Sequence, residues 1–341
     1  MVDIFTLFRA VLILFCMMIP GYILKRFRLG DDKLPLGFTN TILYVTQPAM
    51  LVVGFFRPFD MEILKTAAIV LLLSFIAHAM FYGASFLFFR GAPEHLRKVY
   101  RFSIVFANAG YMGIPLMNMV LGSTAAVYAS VYIIGFNFCA WSIGCLIYTG
   151  DKSYVSPKKM LLNAATIPTF IGIILFVTNA YSFLQPSGVA GFIEEALNML
   201  KATVAPMSMM VIGMRLADLK LKGAFNDKYM YLSFALRLLI LPTAVFAVLW
   251  LFKLIGFYEP TAFTTVLICA ATPSAALTGM FAERFFPKPD AQLLESGDGQ
   301  ALHQQEVALS ATVTASKLVS ISTVISLATM PVVALLLQLL K

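Results

Sequence analysis

The sequence predicts an all-α integral membrane protein of ten transmembrane helices, arranged as two inverted five-helix repeats, with helices 4 and 9 broken where they cross at mid-membrane. Three observations carry this. Of the 341 residues, 60% are hydrophobic and 12% charged, whereas soluble domains are about 45–50% apolar. The apolar residues fall into ten runs, each near the roughly 20 residues that a spanning helix needs. Proline and glycine interrupt these runs at matching places in the two halves. A soluble enzyme is excluded, and little chain is left for an extramembrane domain.

The runs follow in order, bounded by charges, Gly and Pro. Span 1, about 5–24, is preceded by Asp3 and followed by Lys25, Arg26 and Arg28. That is the reverse of a cleaved signal peptide, so it is expected to be retained. Span 2, about 37–56, carries Gln47-Pro48 and then Gly54. Span 3 runs over 63–89 with His78 inside it, span 4 over 99–121 and span 5 over 124–149. Span 6, 160–182, has Ile167-Pro168 where span 1 has Ile19-Pro20, and span 7, 190–216, has Pro206 to Gly213 where span 2 has Pro48 to Gly54. Span 8 covers 229–255, span 9 261–282 and span 10 307–339, with a polar loop over about 286–306 before the last. Five spans per half is an odd number, so halves that share a fold must sit in opposite orientations.

Charge gives the sidedness. With alternating loops, 17 Lys and Arg fall on one side and 6 on the other, which by the positive-inside rule places both termini outside a cell membrane. The net charge of +8 is thereby explained without nucleic acid. Cys16, Cys139, Cys145 and Cys269 lie in apolar runs without metal-binding spacing, and read as small buried hydrophobes. No metal or cofactor is implied.

The interrupted spans carry the chemistry. In span 4, Gly110 and Gly113 weaken the helix and Pro115 removes a donor while clashing with the carbonyl of Tyr111. In span 9, Pro273 breaks the helix between Thr272 and Ser274. Backbone groups freed by such breaks cannot face lipid. If the two spans cross, two half-helix N-termini, each equivalent to about +0.5 charge, converge on one spot that favours an anion, most simply a carboxylate. Asn108, Gly110, Tyr111, Thr272 and Ser274 are candidate contacts there, with Gln47 of span 2.

Intramembrane ionisable groups are few. No Asp or Glu lies in the middle of spans 3, 4, 5, 8, 9 or 10, which disfavours an exchanger built on a buried carboxylate pair. His78 reads either as a proton carrier or as a structural histidine bonded to a backbone carbonyl. Arg237, about two turns inside span 8, reads either as a charge or coupling residue or as a side chain that snorkels to the cytoplasmic surface. Lys317, near the start of span 10, reads either as a counter-charge or as a helix-end anchor. Gln47 and Asn137 are amides that need partners in any fold.

With these residues in view, the chain resembles the auxin efflux carrier family, which includes plant PIN carriers and bacterial malonate and other organic-acid permeases. The matching elements are Asn108-Ala-Gly-Tyr-Met-Gly113-Ile-Pro115-Leu, Pro206 to Gly213 with Leu216, Arg237-Leu238 to Pro242, Ala271-Thr-Pro273 with Ala282-Glu-Arg, and Ser322-Thr323 to Ser326, Thr329 and Pro331. The resemblance implies scaffold spans 1–2 (residues 1–58) and 6–7 (151–222), and transport-domain spans 3–5 (59–150) and 8–10 (223–341). It also implies that Asn108 contacts a substrate carboxylate. The second-half break lacks the corresponding asparagine.

The expected function is secondary transport of a small organic anion, such as an auxin-like acid, malonate or malate, by elevator-type alternating access. Sodium or proton coupling is left open, and a homodimer through the scaffold spans is a further expectation. The alternative is a membrane receptor that binds a similar ligand without net transport and signals through the 286–306 loop. No HExxH, GxSxG or buried Asp pair supports an enzyme.

Overall fold

The computed structural model describes residues 4–31, 33–162, 164–218, 227–289 and 298–340. Lys220 and Lys222, counted above among the cytoplasmic cations, and residues 290–297 of the predicted loop lie outside them. Among the described residues the secondary structure is helical, with one isolated antiparallel bridge between Ala107 and Ser274.

The chain begins with α1 (Ile4–Arg26), followed by α2 (Leu34–Thr41), a π-helical stretch over Ile42–Thr46 and α3 (Gln47–Phe55). Next come α4 (Met61–Ser85), α5 (Glu94–Val105), a π stretch over Ala109–Gly113 and α6 (Ile114–Leu121). Then come α7 (Ser123–Cys139), a π stretch over Ala140–Gly144 and α8 (Cys145–Thr149). The second half holds α9 (Pro157–Leu161), α10 (Thr166–Val177), α11 (Ala180–Leu184), α12 (Val189–Ala202) and α13 (Val204–Ala217). It closes with α14 (Lys228–Ala235), a π stretch over Leu236–Ile240, α15 (Leu241–Leu254), α16 (Pro260–Ala271), α17 (Leu277–Phe285) and α18 (Gly299–Leu339). Acidic N-caps start several of them: Asp60 accepts from the Glu62 amide at 2.8 Å and Asp227 from that of Tyr229 at 2.9 Å.

Among the described residues seven helices are long and apolar enough to cross a membrane, and eight if Thr166–Val177 and Ala180–Ser187, bent by 68°, form one span. This is a multi-pass membrane protein. Over the ranges predicted for spans 4 and 9 the chain forms shorter helices, α5 and α6 and then α16 and α17, with residues 106–108 and 272–276 between them outside any helix.

The three prolines Pro48, Pro115 and Pro242 share a local solution. Each occupies the second position of the helix that follows a five-residue π stretch. The carbonyl that each ring would strike, four residues back, lies inside that stretch, and the wider π turn relieves the clash.

Between Phe286 and Glu306 the structure departs from the predicted loop. Gly299–Glu306 forms the first turns of α18, a helix of 41 residues and so about 60 Å long. Its polar start reads as a loop, yet Ala, Leu, Gln and Glu are strong helix formers, and Asp298 caps the end by accepting from the Gln300 amide at 3.1 Å. Lys317, expected near the start of the last span, consequently lies in mid-helix.

Packing falls into two groups. In the first, α1 crosses α13 at glycines: a Cβ added to Gly21 would lie 2.1 Å from the Met210 carbonyl oxygen, and one on Gly213 2.0 Å from that of Met18. α10 meets α3 similarly, with Gly172 placing an added Cβ 3.0 Å from the Phe55 ring and 3.3 Å from the Leu51 carbonyl. Small residues of this kind let helix backbones touch in a membrane, where no hydrophobic force drives them together. In the second group, α4 packs on α7 and both on α16, while α5 packs on α14 and α18. Between the groups runs an apolar seam around a cavity of about 180 Å³, walled by Phe55, Ala67, Leu71, Val131, Ile173 and Phe176 among others.

Candidate functional site

The site is built where two helices stop. α5 ends at Val105, after which Phe106 is extended and Ala107 forms the isolated bridge to Ser274. α16 ends at Ala271, and Thr272 is extended in turn. The two loose stretches pair: the Asn108 amide donates to the Pro273 carbonyl at 2.7 Å, and the Ala275 amide to the Phe106 carbonyl at 2.9 Å. They satisfy each other's backbone in the interior, where Phe106, Ala107, Asn108, Thr272 and Ser274 are all buried.

Two helix C-termini meet here, and their last carbonyls lack intrahelical donors. Arg237 supplies them. It is fully buried, donates from Nη1 to the Ile104 carbonyl at 2.8 Å and from Nε to the Thr272 carbonyl at 3.2 Å, and from Nη2 to the Ala270 carbonyl. Its guanidinium also lies 5.1 Å from the Phe81 ring centroid. The expectation that Arg237 snorkels to the surface is therefore corrected. The acceptors freed by the two breaks hold the guanidinium in the interior, and its planar fork reaches both helices.

Beyond the breaks, the starts of Ala109–Leu121 and of α17 present N–H groups without intrahelical partners. These ends border a cavity of about 240 Å³, below the usual range of drug-sized pockets. Asn108, Gly110 and Tyr111 form one wall, and Ala275 to Leu277 another. Gln47, at the head of α3, faces them: a Cβ on Gly110 would sit 3.5 Å from its Nε2. Asn108 is buried at 3% exposure, and its Nδ2 has no hydrogen-bond partner among the described residues. The Nδ2 of Asn137, on the same cavity wall, likewise has no partner among the described residues. Tyr111 packs against Ile42, Val211 and Met214, so it touches the first packing group.

Other predicted residues lie elsewhere. Thr272 and Ser274 are buried but outside the cavity lining. The Thr272 hydroxyl donates to the Cys269 carbonyl at 2.8 Å, and the Ser274 amide donates to the Ser322 hydroxyl at 3.2 Å. Gly113 ends the π stretch and Pro115 is the second residue of α6, both after the end of α5, and Pro273 lies between α16 and α17. His78 is fully buried off the cavity, its Nδ1 2.7 Å from the Ser74 carbonyl and its ring among Phe106, Tyr132 and Phe136. Lys317 is half-buried on α18, away from the lining.

The wall also holds residues that sequence reasoning passed over as site contacts. Trp141, in the π stretch after α7, lies on it, and its ring carries the Arg284 guanidinium at 5.3 Å. Arg215, in the last turn of α13, lies on it too. Its position before the basic residues at 220–228 makes it look like an ordinary helix-end cation. Among the described lining residues Arg215 is the one charged group, and no carboxylate accompanies it. No cluster of three His, Cys, Asp or Glu able to hold a metal occurs among the described residues.

A family model described as membrane transport protein matches residues 6–290. No curated protein matches the chain.

Proposed function

The chain belongs to the membrane transport protein family of auxin efflux carriers, and from that premise we propose that it is a secondary transporter of a small organic anion, a carboxylate of the auxin-like acid, malonate or malate type. The observation that carries the reading is Asn108: a buried amide with a free donor, on the wall of a small cavity, between two helix starts. Such an arrangement favours a carboxylate, because unpaired N–H groups and two positive helix ends converge while the opposing negative ends are occupied by Arg237. Gln47, Gly110 and Tyr111 complete the contact surface, and Thr272 and Ser274 shape the second break from behind it.

The architecture in this reading has ten spans in two inverted repeats of five. α5 with α6 forms interrupted span 4, and α16 with α17 forms interrupted span 9. Two relations support the symmetry: span 1 crosses span 7 at Gly21 and Gly213, as span 6 crosses span 2 at Gly172. Residues 1–58 and 151–222 are the scaffold, and 59–150 and 223–341 move against it as an elevator. The cavity is walled by helix ends that adjoin the Lys- and Arg-rich connectors, among them Thr39, Ala165 and Arg215. By the positive-inside rule it opens to the cytoplasm, and both termini lie outside a cell membrane.

The test is flux of radiolabelled carboxylates into proteoliposomes, with and without sodium and pH gradients. Saturable flux that falls about tenfold or more in Asn108→Ala is expected, the loss of one hydrogen bond to a charged group. Absence of specific flux or binding for every carboxylate overturns the reading.

A further inference from the structure

Past the end of α4 the chain turns back on itself before α5 begins. Phe89 takes a φ of +65°, a region that bulky residues seldom adopt. It is fixed there by burial and by the stacking of its ring on Tyr100 of α5, with centroids 5.2 Å apart. The reversal carries Arg90 back to the flank of α5. Arg97 and Arg101, four residues apart, lie on one face of that helix, and both Arg90 and Arg97 act on Arg101 as like charges.

Three guanidinium groups thus gather without a counter-ion. Glu94, the acid at the start of α5, is paired with Lys98 at 2.9 Å, and on the basic side of the scaffold Lys25 has Asp218 at 3.7 Å. The side chains of Arg90, Arg97 and Arg101 make no ion pair or hydrogen bond among the described residues. Arg101 is half-buried; its guanidinium lies 4.9 Å from the Phe86 ring centroid, and its Nε is buried without a partner. Like charges four apart destabilise a helix, and a buried donor left unpaired costs more than a typical hydrogen bond gains. The cluster is therefore arranged for an anion that comes from outside the chain.

Its surroundings say which anion. α4 is long and apolar enough to cross a membrane, and Phe86 and Leu87, directly past its end, are 45% and 67% exposed. Tyr82, one turn earlier, sets its ring 4.9 Å from that of Phe86, and amphipathic rings of this kind sit at headgroup level. Cations above exposed hydrocarbon match a lipid, with phosphate at the surface and acyl chains beneath. A soluble anion would use the arginines alone. The planar fork of a guanidinium also fits phosphate oxygens two at a time.

We propose that Arg90, Arg97 and Arg101 bind the phosphate of an anionic phospholipid in the adjoining leaflet, whose acyl chains lie against Phe86 and Leu87. By the loop charges this is the cytoplasmic leaflet. The site is independent of what the cavity carries. It anchors the start of α5, the helix that ends at the break before Asn108.

The experiment titrates the purified full-length protein, in neutral detergent, with phosphatidylglycerol, phosphatidylcholine or inorganic phosphate. Melting temperature and lipid retention in native mass spectrometry are read. The wild type is expected to retain phosphatidylglycerol at least about tenfold more tightly than phosphatidylcholine and to melt higher with it. Arg101→Gln and Arg90→Gln are each expected to weaken phosphatidylglycerol about fivefold, the scale of one cation at an anionic surface, with phosphatidylcholine unchanged. Arg90 is exposed, so its variant reports on the site even where the Arg101 change disturbs packing on Phe86. Arg26→Gln, an exposed cation on the same basic side, is expected to keep phosphatidylglycerol binding within about twofold. Equal retention of the two lipids by the wild type, an unchanged preference in both cluster variants, or an equal loss in Arg26→Gln overturns the site. A rise in melting temperature with inorganic phosphate as large as with phosphatidylglycerol overturns the lipid and assigns the arginines to a soluble anion.

Discussion

Arg237 donates a 2.8 Å hydrogen bond from Nη1 to the carbonyl of Ile104, one residue short of the end of α5. The same guanidinium reaches Ala270 and Thr272 at the end of α16, so one side chain closes two helix termini. Removing it orphans three buried carbonyls, each costing about 1–3 kcal/mol. Arg237→Met is predicted to lower the apparent melting temperature strongly. Arg237→Lys should recover little, since an ammonium is a point donor that cannot span both helices. Scanning fluorimetry in detergent decides; a variant as stable as the wild type would show that the carbonyls find other donors.

Asn108 should behave in the opposite way. Its Nδ2 makes no hydrogen bond among the described residues, so Asn108→Ala is predicted to change stability by less than about 1 kcal/mol while weakening carboxylate binding. Asn108→Asp is nearly isosteric but replaces a donor with a negative charge, and should abolish binding. If the Asp variant binds carboxylates better than the Ala variant, the amide does not donate to the ligand.

Gly213 offers a steric test. A Cβ there would fall 2.0 Å from the Met18 carbonyl and 2.9 Å from the Tyr22 amide nitrogen. Backbone on both sides cannot step aside, so Gly213→Ala forces α1 and α13 apart and is predicted to cost about 1–3 kcal/mol or more. Gly83→Ala, with nothing within 4 Å of the added Cβ, serves as the control and should be neutral or stabilising, because alanine is the better helix former. Equal melting temperatures for the two variants would refute the close crossing.

At the start of α5, His95 lies 3.2 Å from the Ser310 hydroxyl of α18. Its pKa is lowered, first by burial and then by nearby His303, against the opposing pull of Glu306 and Glu94. A histidine lowered in the folded state binds fewer protons there than in the unfolded chain, so its contribution is intact above about pH 6.5 and is lost as the pH falls below that value. Melting temperature measured from pH 8 to pH 5 should therefore fall less steeply in His95→Gln than in the wild type. Parallel curves would count against this assignment.

The distribution of these features explains what was legible in the sequence. Asn108, Gly110 and Tyr111 could be found because Gly110, Gly113 and Pro115 announce a break locally, and a break has a chemical consequence wherever the helix packs. Arg237 was misplaced because its distance from the helix end was the only measure available. The deciding fact is the position of three acceptors on α5 and α16, at residues 104, 270 and 272, which depends on tertiary contact. Arg215 was hidden by a rule that works: a cation at a helix end before a basic connector usually faces water. The start of α18 was hidden because polarity was read as irregularity, although Gly299 to Glu306 is good helix sequence behind an Asp cap. The π stretches before Pro48, Pro115 and Pro242 follow from the ring's own geometry and could have been anticipated.

The apolar seam between the two packing groups has a mechanical meaning. The side chains that wall it, from Phe55 and Ala67 to Ile173 and Phe176, are aliphatic or aromatic hydrocarbons, which make no directional bonds to one another. A shift of one surface against the other would break no hydrogen bond between those side chains, while the glycine crossings of α1 with α13 and α3 with α10 set helix against helix at close range on one flank. Residue size thus distinguishes a flank of close helix contact from a seam of hydrocarbon side chains.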